Sequence, residues 1–129
     1  MAKYINKLGN DLLDFRSNKK NLKVVRRKAP SGSDFFFNKL IVSISTITGF
    51  VSFNNATKDI KKLMENQIPL KFTRDPFYNI WIDDVADICK LFCTFLGEEK
   101  ISFWLGTHRG CKRYHVDMVP FRLLVTYLG

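Results

Sequence analysis

A chain of 129 residues, 46% hydrophobic and 14% aromatic, holds one domain at most and is too apolar to be a disordered segment. Its three cysteines, Cys89, Cys93 and Cys111, are too few and odd in number for a secreted disulfide framework, which fits a reducing cytoplasm. The net charge of +9 is uneven: residues 1–30 hold nine Lys/Arg and two Asp, against twelve Lys/Arg and ten Asp/Glu in the remainder.

The chain is expected to comprise a basic lead-in over residues 1–20 and a single domain over 21–129. A basic arm suits nucleic acid or another anionic surface. No aromatic-interleaved basic platform or nucleic-acid motif accompanies it, so a solvated basic surface is the better reading. A membrane span is not expected. The stretch from Phe35 to Val51 is interrupted by Asn38, Lys39 and several hydroxyl residues, short of the roughly 20 apolar residues a bilayer requires. Lys3, Lys7, Asp11 and Asp14 break up the start of the chain, which argues against a signal peptide.

In chain order, Ile5, Leu8, Leu12 and Phe15 recur at helical spacing, and Leu22 to Arg27 alternates as a strand. A helix is expected from Asp34 to about Ser45, capped by Ser33 or Asp34. The β-branched residues after Leu40 favour an extended piece to Phe53. Thr57 is placed to cap a second helix over 58–66, with Ile60, Leu63 and Met64 inward. Pro69 and Pro76 bracket an irregular segment. Residues 77–96 form the strongest helix, with an apolar stripe of Ile82, Val85, Ala86, Ile88, Cys89, Phe92, Cys93 and Phe95, and Gly97 ends it. Ile101 to Leu105 is expected as a strand, and Phe121 to Tyr127 as the last one. Trp81 and Trp104 are assigned to the core. Helices followed by short strands make α+β the expected class, with N-terminal helices packed on a small antiparallel sheet.

Chemistry concentrates at the end of the chain. In an extended segment His115 and Asp117, two apart, share one face. They amount to two of the three ligands of a 2-His-1-carboxylate site for non-haem Fe(II). Cys111, four residues upstream, is the candidate third ligand, and a Cys/His/Asp set suits Zn²⁺ better than Fe(II). The competing account is a surface His/Asp pair beside a cysteine that serves as a small hydrophobe. His108 is better read as a loop residue than as a ligand. Arg122 has the forked guanidinium that binds carboxylate substrates at two points. Cys89 and Cys93 lie on one helical face and are better explained by core packing than by metal binding.

Cys111, Tyr114, His115, Asp117, Val119, Arg122, Leu123, Leu124, Thr126, Tyr127 and Gly129 together resemble the signature of the bacterial domain-of-unknown-function family 1826, C-x-x-[FY]-H-x-D-x-V-x-x-R-L-L-x-T-Y-x-G. The resemblance extends back more weakly to about Asn21. That family has no established activity. Its pattern continues with Pro-Gly-Thr-Glu-Trp and a later His-Arg-Ser-Pro block, so this chain is expected to be the first part of a family member, inactive alone. A His-x-Asp before an Arg/Leu/Tyr-rich strand is also similar to the opening of a double-stranded β-helix, as in cupins and iron- and 2-oxoglutarate-dependent dioxygenases. By that likeness the third ligand, a His, belongs to a later strand. An apolar final strand with an open edge is expected to favour self-association. The functional expectation is a metal-binding, oxygenase-like domain acting on an unknown small molecule. Its alternatives are a non-catalytic remnant and a basic nucleic-acid-binding module.

Overall fold

The computed structural model describes residues 9–10, 33–65, 67–106, 123 and 125. Gly9 and Asn10 are helical, as the spacing of the early apolar residues predicts, and Gly9 lies beside Leu91. The expected strand over residues 22–27 lies outside the described residues.

Helix α1, Ser33–Leu40, carries Asp34 in its first turn and Lys39 in its last, each at the end where the helix dipole favours its charge. It stops a turn earlier than expected. Ile41, Val42 and Ile44 crowd a helical turn through their branched Cβ atoms, and the chain instead reaches strand β1, Ile47–Ser52. Helix α2 spans Ala56–Met64. Its N-cap is Asn55, which makes no side-chain cap hydrogen bond, and Thr57 lies inside the first turn and does not cap it. Ile60 and Met64 point inward as expected, and Leu63 is half-buried against the core.

The segment between the two prolines is not irregular throughout. Leu70–Thr73 forms a single-turn helix, α3. Pro76 opens the next helix at a position where its missing N–H costs nothing. That helix, α4, runs Pro76–Leu96, and its N-cap Asp75 accepts a hydrogen bond from Phe77 N–H at 2.9 Å. Gly97 ends it in the left-handed region, φ 69°, where the absence of a Cβ removes the steric penalty. Glu98 N–H then donates to Cys93 C=O at 3.0 Å.

Strand β2, Lys100–Leu105, pairs antiparallel with β1, from Ile47 opposite Leu105 to Ser52 opposite Lys100. Helices packed on a small antiparallel sheet confirm the α+β class, with the strands interleaved among the helices and not gathered at the end. The described sheet has two strands. Leu123 and Val125 have no regular secondary structure, and the rest of the expected last strand, Phe121 to Tyr127, lies outside the described residues.

Side chains alternate across the sheet. Ile47 and Val51 are buried, and Ile101, Phe103 and Leu105 pack on the core from β2. Gly49 leaves the space that the Leu63 side chain of α2 fills; a Cβ there would collide with it. The core is completed by an aromatic cluster. Trp81 of α4 meets the rings of Phe36 and Phe37 from α1 and Tyr78 from its own helix, with centroids 5.8–6.3 Å apart and edge-to-face tilts. Phe72 of α3 closes on Phe36 at 6.0 Å.

The stripe on α4 is buried where expected except at Phe92, which is half-buried and stacks on Phe95 at 5.9 Å. Trp104 is a correction: it is 53% exposed, on the outward face of the sheet, with its indole laid back against Gly106. An inward position for Ile101, Phe103 and Leu105 turns Trp104 outward by the period of two. No helix among the described residues is long and apolar enough to cross a membrane.

Candidate functional site

The predicted ligands Cys111, His115 and Asp117, the substrate-binding Arg122, and His108 all lie outside the described residues. Their mutual geometry is therefore left to the sequence. The described part shows the platform from which that segment departs, β2 ending at Leu105 and Gly106.

Within the described residues no group of three or more His, Cys, Asp and Glu could hold a metal ion. Neither histidine is among those residues. Cys89 and Cys93, one turn apart on α4, are free, buried thiols. Burial, with a smaller contribution from Cys93, pushes the Cys89 thiol up to about 12. Burial also raises Cys93. Neither is a thiolate near neutral pH, and a thiolate is what binds metal or attacks an electrophile. Their expected role as core residues holds.

Two carboxylates are placed in ways their sequence context did not signal. Asp59 of α2 accepts from Ser52 Oγ–H at 2.7 Å and from Ser52 N–H at 2.9 Å. These bonds hold its carboxyl below the usual range, the hydroxyl bond contributing most. The pair ties the end of β1 to the helix that follows. Asp84, in the middle of α4, is 4% exposed. Of the three aspartates in the first half of α4, the helical phase puts Asp83 and Asp87 outside and Asp84 in.

A groove also opens where the end of α2 meets α3 and the start of α4, with a volume of about 480 Å³. Lys58, Lys61 and Lys62 of α2 stand along it, with Glu65 following one turn after Lys61. Met64 and Ile68 form its apolar floor. Tyr78 of α4 lines it from the far side, and burial raises its hydroxyl pKa. The spacing of the three lysines was readable as one helical face. Tyr78 was not readable as their neighbour, because it comes from another helix.

No curated protein and no solved structure matches the chain. A family model described as a protein of unknown function, DUF1826, matches residues 7–129. That span takes in nearly all of the chain, including the His-x-Asp segment and both strands, and on this ground the chain belongs to the DUF1826 family.

Proposed function

We propose that this chain is a metal-binding domain in which His115 and Asp117 hold Fe(II) or Zn²⁺. One observation carries the reading: a His-x-Asp pair, with Cys111 four residues before it and Arg122 five after, inside the segment matched to the family. The donor set fits such an ion. A neutral imidazole and a carboxylate suit either metal, and a cysteine thiolate shifts the preference to Zn²⁺. Protein sites commonly need three ligands or more, so the third comes from Cys111, from His108 or from outside the chain. A metal held there supplies a Lewis acid. Arg122 supplies the two-point fork for a carboxylate on the substrate, and 2-oxoglutarate is one such carboxylate by the dioxygenase likeness alone. The buried, free thiols of Cys89 and Cys93 support a reducing, cytoplasmic setting.

The test is metal uptake by the protein purified without chelators and titrated with Zn²⁺ and with Fe(II) under nitrogen. Stoichiometric uptake is expected, weakened by more than about tenfold in His115→Ala and in Asp117→Asn. Absence of uptake, or variants that bind as the parent does, would refute the reading.

A second reading is favoured by the charge distribution. The described residues carry eight Lys/Arg against nine Asp/Glu, whereas the others carry thirteen against three. The basic character of the chain thus belongs to its two end segments, which suits contact with nucleic acid. Binding to a single-stranded oligonucleotide that falls steeply as salt rises would support it, because each neutralised phosphate releases counterions. Binding that is absent or insensitive to salt would remove it.

A further inference from the structure

The lysine-lined groove has features that its bland explanation does not cover. Lys61 and Lys62 sit in the last turn of α2, where the helix dipole favours cations, and that alone would account for them. Lys58 sits in the first turn, where the dipole opposes a cation, yet it faces the same groove. Tyr78 is 7% exposed and lines the groove opposite the lysines of α2. A phenol can donate its hydroxyl hydrogen to an anion held in such a groove. The volume of about 480 Å³ lies within the range of small-molecule sites. Three lysines and one glutamate give its rim a net positive charge, while Met64 and Ile68 keep its floor apolar.

We propose that this groove binds a small organic anion with an apolar body, its acid group met by the three lysines and Tyr78 and its apolar part by Met64 and Ile68. The proposal uses none of the residues of the proposed metal site, and neither proposal depends on the other. The lysines attract the anion and screen with salt. The Tyr78 hydroxyl donates to the acid oxygen, a charge-assisted bond stronger than a neutral one. The floor rewards an alkyl or aryl body through removal of apolar surface from water. A bare inorganic anion uses only the first two contacts, and an apolar alcohol only the last.

Octanoate, octanol and inorganic phosphate make the three probes, titrated at low salt into the isotope-labelled full chain and followed by amide chemical shifts. Octanoate is expected to move the amides of residues 58–65 and 68–78 and to bind more tightly than either other probe. The double variant Lys61→Gln/Lys62→Gln, both exposed positions, should weaken octanoate by about tenfold. Tyr78→Phe should weaken it several-fold and leave the fold intact, since only a hydroxyl is removed. Octanol binding as tightly as octanoate would reduce the groove to an apolar patch. Phosphate binding as tightly would reduce it to an adventitious ion site only. Either result, or octanoate affinity unmoved in both variants, or no binding at all, overturns the proposal.

Discussion

Replacing Trp81 with alanine is expected to lower the unfolding free energy by about 3–5 kcal/mol, the range for truncating a large buried aromatic side chain. Trp81 is 4% exposed and holds three edge-to-face ring contacts, to Phe36, Phe37 and Tyr78. The variant therefore loses the transfer free energy of the indole, the ring contacts, each worth about 0.5–1.5 kcal/mol beyond area, and the filling of the cavity left behind. These contributions overlap and do not simply add. The loss also unties α1 from α4, since two of the three rings come from α1. Urea unfolding followed by far-ultraviolet circular dichroism measures it, with Trp104→Ala as the control. Trp104 is 53% exposed, so its removal should cost well under about 1 kcal/mol. Equal losses in the two variants would mean that the aromatic cluster is not where the stability lies.

Stability should also fall as pH rises above about 9, with Cys89 as the largest cause among the described residues. Its thiol ionises near 9.0 when unperturbed and is pushed up to about 12 in the fold. Between those values the unfolded chain gives up a proton that the folded chain keeps. The unfolded state then binds fewer protons, so the unfolding free energy decreases with pH, by at most about 1.4 kcal/mol per unit from this group. The stabilisation is fully present below pH 9 and is progressively lost toward pH 12. Cys93 and Tyr78 shift in the same direction through burial and add to the slope. Comparing urea midpoints at about pH 8 and about pH 10.5 for the parent and Cys89→Ala isolates the contribution. The variant should show the shallower dependence on pH. Identical slopes would assign the alkaline loss to other groups.

The longer helices α2 and α4 were legible in the sequence because their signals are local, whereas the single turn of α3 was not. Asp75, Pro76 and Gly97 mark the two ends of α4 within a residue or two, and its apolar stripe has a clear period. The β1–β2 pair was half legible: both extended runs stand out by β-branched and aromatic content, but nothing local says that residue 47 faces residue 105. Where local chemistry and tertiary packing disagreed, the pattern misled. Trp104 counted as core by its size, although strand alternation puts it outside. The shortening of α1 was written in Ile41, Val42 and Ile44 but underweighted against the apolar run they extend. Within the proposed sites, the lysine face of α2 could be read from spacing, whereas its conjunction with Tyr78 depends on how α2 meets α4. His115 and Asp117 remain a sequence argument.

The single ladder of the described sheet joins two distant parts of the chain. Ser52 faces Lys100 across it, with residues 53–99 looped between them. Closing a flexible loop of that length costs about 3–4 kcal/mol before any contact repays it. Helices α2, α3 and α4 lie inside the loop and rest on local bonds, so their formation shortens the span to be closed. The order of events follows: helix formation and docking of α2 on α4 come first, and zipping of β1 to β2 comes last. During synthesis the asymmetry is greater still. β1 emerges with Ile47 and Val51 uncovered and its hydrogen-bonding edges open, and it must wait for the whole loop to be made before its partner exists. In that interval the strand is open to wrong partners, and the steps that shelter it are those in which neighbouring helices cover its inward face.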